Sequence, residues 1–205
     1  MKRRWFLATG LVSAGCSVLP TQPYQQRRDW PLLPKREAVL TPRRGGPVLL
    51  IRTMTAGPGL DARGIQWLRP DGSLNVDYYE QWASQPAQAM EEGLRQWLRD
   101  SGLFAGVVAP GSRANPDLVL ETELTALAAD PKAGTARASL TLLLLEPRGE
   151  TARVRLQSAI TAEAPLAGAE VGAIVAALRQ AAETALRKAE TALSGALIPI
   201  KGHPG

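Results

Sequence analysis

One cysteine, one histidine and two phenylalanines serve all 205 residues. A single thiol cannot close a disulfide within the chain. With Cys16 and His203 as its only cysteine and histidine, the chain offers neither a zinc site nor a Cys–His nucleophile. The serines fall in no nucleophile-elbow pattern. A membrane-spanning run is missing as well. The apolar stretch from Trp5 to Gly15 has eleven residues, against the roughly 20 needed to cross a bilayer. Also scarce is net positive charge where a fold would need it to hold nucleic acid. The formal charge of +5 falls to +2 once Lys2, Arg3 and Arg4 are set aside. Residues 17–46 carry six basic side chains against Asp29 and Glu37, so residues beyond 46 hold 15 basic and 17 acidic ones. No nucleic-acid partner is expected of so neutral a domain.

What is present explains the cysteine. Lys2–Arg4, the apolar run and the small residues Ser13-Ala14-Gly15 form an export signal over residues 1–15 that ends at Cys16. In a bacterial lipobox that cysteine becomes the new N-terminus and carries diacylglycerol on its sulfur. Ser13 stands where leucine is usual, and the competing reading is a plain signal peptide containing a cysteine by chance. Acylation accounts better for a thiol with no partner, and a triacylated terminus, palmitate included, anchors at about 0.8 kcal/mol per buried CH₂. Ser17 follows, in place of the aspartate that retains lipoproteins at the inner membrane. The expected location is the outer membrane, lipid-anchored and facing the periplasm, with the covalent lipid on Cys16 as the sole cofactor-like group and no metal.

Residues 16–46 read as a linker. Pro20, Pro23, Pro31, Pro34 and Pro42, with Gly45-Gly46 at its end, disfavour a packed core. Extended at roughly 3.1 Å per residue, such a linker would reach about 90 Å. Its basic residues read as a solvated face, or alternatively as an attraction to anionic head groups.

Residues 47–195 suit one domain, with a tail at 196–205. "PVLLIRTMT" opens it as a strand, and "GIQWLRPDGSLNVDYYEQWA" reads as a hairpin turning at Pro70-Asp71-Gly72. On its second arm Leu74, Val76 and Tyr78 share a face. Tyr78 and Trp82 are therefore expected in the core and Tyr79 outside, as a candidate partner-binding residue. A helix follows from Pro86 to Ser101, capped by Ser84 and ended by Gly102. Phe104 to Val108 form a short strand.

Three long alternating strands come next. The first places Leu118, Leu120, Leu124 and Ala126 on one face; the second, Ala136 to Leu144; the third, Val154, Leu156 and Ile160. Glu121 and Glu123 on the opposite face read as solvated carboxylates rather than an acid pair. Leu143 and Leu145 interrupt the polar side of the middle strand, as a buried patch or a partner surface. A second helix spans Glu170 to Leu193, with Arg179, Glu183 and Arg187 spaced as an i,i+4 ladder on its outside. The fold class is α+β: a mainly antiparallel sheet with two amphipathic helices on one face. No active site is found, so no enzyme is expected.

The segment "RGIQWLRPDGSLNVDYYEQWASQPAQAMEEGLRQWLRDSGLF" resembles the ABC-type transport auxiliary lipoproteins of Mce-type and paraquat-inducible systems. Ile65, Trp67, Tyr78, Trp82, Ala83, Pro86 and Gly102-Leu103-Phe104 carry the likeness. "ANPDLVLETELTAL" and the alanine-rich helix continue it, over roughly residues 47–194. Trp67 departs from the commoner tyrosine or phenylalanine. The resemblance implies a non-catalytic partner of an ABC transporter moving lipid between inner and outer membranes. The Mce-domain protein, permease and ATPase would be separate chains, and assembly into a homo-oligomer stays open. A periplasmic lipid carrier and a structural envelope lipoprotein are the alternatives.

Overall fold

The computed structural model describes residues 24–197. The signal peptide, Cys16, Ser17 and His203 lie outside them. Among the described residues, nine strands and two helices follow in chain order: β1 (Arg28–Trp30), β2 (Val48–Ile51), β3 (Thr55–Ala56), β4 (Gly64–Leu68), β5 (Leu74–Trp82), α1 (Pro86–Asp100), β6 (Gly106–Val108), β7 (Leu118–Asp130), β8 (Thr135–Arg148), β9 (Thr151–Pro165) and α2 (Val171–Ala196).

β7 is the spine. Along one edge it pairs antiparallel with β8, which pairs antiparallel with β9, as the alternating apolar residues and short turns require. Its other edge is shared by β2, β3 and β4, each parallel to it. β6 extends the sheet beyond β2, and the β4–β5 hairpin extends it on the opposite flank. The result is the expected α+β architecture, mostly antiparallel.

Both helices contribute to one core with this sheet. α2 lies over β8 and β9, where Ala181, Ala182, Ala185 and Ala189 are fully buried. Their lack of bulk lets the helix close on the sheet, while Leu178, Leu186 and Leu193 fill the flanks. Each such leucine contributes about 1.5–3 kcal/mol by leaving water. α1 begins with Pro86 at its first turn, where a missing N–H costs nothing, and stops at Gly102 with φ +70. Ser84 does not cap it; Gln85 holds that position, with no side-chain hydrogen bond.

Three irregularities redistribute the strand faces. In β7 the register shifts between Leu124 and Ala126, so Leu127 and Ala129 take the core positions and Ala126 is only half-buried. In β9 the pairing passes from Leu156 to Val154 opposite Leu144 and Leu145, leaving Arg155 as the extra residue. Val154 thereby turns to the open face and is exposed, contrary to the alternation. The third, in β5, shapes the candidate site.

Candidate interaction surface

The proline-rich segment does not hang free. From Arg28 onward it is a strap across the domain, which corrects the expectation of a linker running to residue 46. β1 pairs parallel with β5, Trp30 level with Trp82, and the Ala83 amide donates to the Trp30 carbonyl at 2.8 Å. Glu80 is the fastening point. It is buried, and it accepts from Arg28 Nε and from Trp30 Nε1, each at 2.7 Å. Leu32 then enters the core, and Pro34 packs on Gly93 of α1 so closely that a Cβ there would lie 2.5 Å from the proline ring.

Further along, Arg36 donates twice to Glu190 of α2, at 3.1 Å each, and Glu190 also accepts from Trp97 Nε1 of α1 at 2.7 Å. The hydrogen bond to Glu190 holds the Arg36 guanidinium above its ordinary pKa. One carboxylate thus ties the strap to both helices, beside a cleft of about 410 Å³. The Leu40 amide closes the strap on the Asp100 carbonyl at 2.8 Å. Arg179 and Arg187, expected to form a ladder with Glu183, turn to the strap instead. Arg179 donates to the Pro31 carbonyl at 2.8 and 2.6 Å, and Arg187 pairs with Glu37 at 3.6 Å. The two hydrogen bonds to the Pro31 carbonyl satisfy the Arg179 guanidinium without any helical partner.

The third irregularity lies in β5. Gln66 pairs with Val76, but Gly64 pairs with Gln81, so four residues of β5 stand opposite Ile65 alone. Asp77 Oδ1 caps this bulge by accepting from the amides of Tyr79 (2.7 Å) and Glu80 (2.9 Å). Three extra residues reverse the alternation. Glu80 and Trp82 therefore face the core while Leu74, Val76 and Tyr78 face out. Gly64 is required beneath it, since a Cβ would sit 2.3 Å from the Asp77 carbonyl oxygen.

Trp82 is in the core, as expected, at 1% exposure. Tyr78 is not: it is 66% exposed, which corrects that expectation, while Tyr79 is exposed as expected, at 36%. Their rings meet edge to face at 5.1 Å, and the Arg27 guanidinium lies over Tyr78 at 4.9 Å. With Leu74 and Val76 the two tyrosines form an exposed apolar patch near where the described chain begins.

Glu121 and Glu123 lie on the open face of the sheet. Glu121 pairs with Arg52 at 3.2 Å and Glu123 accepts from Thr141 at 3.4 Å. Leu143 is half-buried beside them. Among the described residues no cluster of three metal-ligating side chains occurs, and no helix is long and apolar enough to cross a membrane. Sequence reasoning missed Trp30, Leu32, Glu80 and Glu190, the residues that fasten the strap. The available signal was the alternation Trp30, Leu32, Pro34, Arg36.

No curated protein matches the chain. Among solved structures, it is similar to a Xanthomonas campestris protein of the family DUF330, at 22% identity and TM-score 0.65, covering 81% of this chain and 96% of that one. A hypothetical protein from Chlamydia trachomatis is similar at 9% identity and TM-score 0.56, covering 75% and 98%. At such identities the likeness concerns the fold. The family model for the ABC-type transport auxiliary lipoprotein component matches residues 32–189, beginning within the strap and ending in α2. The chain belongs to the family of ABC-type transport auxiliary lipoprotein components.

Proposed function

We propose that this auxiliary lipoprotein is a non-catalytic adaptor of an Mce-type transport system. It is held in the outer membrane by acylated Cys16, routed there by Ser17, and faces the periplasm. Its partners are an Mce-domain protein and the permease and ATPase of the transporter, and the cargo is phospholipid or another lipid passing between the two membranes. The family match across residues 32–189 carries this reading.

A specific observation favours adaptor over carrier. A carrier needs a hollow between helices and sheet, but Leu140, Leu142, Leu144, Leu178, Ala182 and Leu186 fill that space and are almost wholly buried. The described clefts lie at the surface and carry charged side chains: Arg36, Glu37, Arg187 and Glu190 beside the strap, and Asp117, Glu146, Arg153 and Arg155 in a larger cleft of about 660 Å³. Native mass spectrometry of the purified lipidated protein tests this choice. The adaptor should carry diacylglycerol on Cys16 and no stoichiometric non-covalent lipid. A phospholipid retained one to one would make it a carrier.

A further inference from the structure

The strap changes how far the domain can stand from its anchor. Eight residue steps lead from Cys16 to Tyr24, where the described chain begins. Even fully extended they reach about 29 Å, at up to 3.6 Å per residue, rather than the roughly 90 Å of a thirty-residue linker. Three residues after Tyr24, the Arg27 guanidinium lies over the Tyr78 ring at 4.9 Å. The described chain thus begins beside the exposed patch of Leu74, Val76, Tyr78 and Tyr79, and the anchor is tethered within that reach of it.

On the reading of Cys16 as acylated, we propose that this patch rests on the phospholipid surface at head-group depth, seating the domain against the membrane that holds its lipid. The composition suits that depth: tyrosines put an apolar ring into the boundary and keep the hydroxyl in water. Charge does not drive the contact. Arg28 is paired with Glu80 and Arg63 with Asp29, while Asp71 and Asp77 on the same hairpin offset Arg27 and Arg69. The contact is accordingly aromatic and apolar, and insensitive to salt.

Acylation of Cys16 leaves any introduced cysteine as the single free thiol, which supplies the test. Tyr78→Cys, with Leu74→Cys as a second exposed position, is labelled with a fluorophore in the full lipidated chain. Val154→Cys, exposed at the opposite corner of the sheet, is the reference. Each is reconstituted into phosphatidylethanolamine–phosphatidylcholine vesicles carrying head-group spin labels. Quenching several-fold stronger at 78 and 74 than at 154, unchanged by added salt, is expected. Protein that sediments with the vesicles but shows equal, weak quenching at all three positions overturns the proposal. So does quenching at 78 that disappears at high salt, and so does shielding of that position only when a purified Mce-domain protein is added, which would make the patch a protein contact. A chain that fails to sediment with the vesicles and labels at Cys16 as well overturns the acylation reading itself.

Discussion

Replacing Leu32 by alanine asks whether the strap is part of the fold. Leu32 is 2% exposed and sits among core residues, whereas its neighbour Leu33 is 59% exposed. The two substitutions are chemically identical and adjacent in sequence. A buried leucine truncated to alanine costs about 2–5 kcal/mol, the spread depending on how far the site collapses. A strap fastened on either side, by Trp30 to Glu80 and by Arg36 to Glu190, cannot easily close the gap, which argues for the middle of that range. For a chain of this size such a loss lowers the melting temperature by roughly 5–15 °C. Leu33→Ala should stay within about 0.5 kcal/mol of the parent. Urea and thermal denaturation of both variants decide it. Trypsin adds a local readout, since a loosened strap offers Lys35 and Arg36 for cleavage. If both variants melt with the parent, the segment before residue 46 is a linker and the strap reasoning fails.

Other consequences concern the same contacts. Gly93→Ala gains about 1 kcal/mol of helix propensity but drives a Cβ into the Pro34 ring; a net loss in urea denaturation is expected, becoming a net gain in a Pro34→Ala background. Glu190→Ala leaves the buried Trp97 N–H and Arg36 without their acceptor and should cost about 1–3 kcal/mol. Glu190→Gln, which keeps an acceptor, should lose measurably less in the same denaturation series. The Ser73 hydroxyl and amide hold the Asp71 carboxyl below the usual carboxylate range. A depressed folded-state pKa means that this contribution is present above the ordinary value of about 4 and is lost as pH falls through the lower folded one. The Ser73 amide resonance should therefore be flat from neutral pH to about 5 and move only below the ordinary carboxylate range.

Elements with long periods were legible in the sequence. Ala136 to Leu144 alternates without a break and is buried as read, and the α2 stripe from Ile174 to Leu193 forms the helix expected. Errors arose where the backbone departs from its period. A bulge adds residues without any change in composition, so Tyr78, Ala126 and Val154 were assigned to faces that the register shifts reverse. The strap was hidden for another reason. Proline argues against helix and central strand but not against an extended segment lying along a domain, and Pro34 is buried against Gly93. The arginines of α2 looked like an exposed ladder because their true partners, Pro31 and Glu37, lie far back in the chain.

The central claim is that the lipidated protein works as one component of an Mce-type ABC transporter. Its most direct test is isolation of the affinity-tagged wild-type chain and its Cys16→Ser variant from their own membranes, with the co-isolated proteins quantified by mass spectrometry. The wild type should bring down an Mce-domain protein with its permease and ATPase in fixed ratio, and the unacylated variant should lose them from the outer-membrane fraction. A wild-type chain that is acylated and folded, yet isolates without any of the three, would contradict the account.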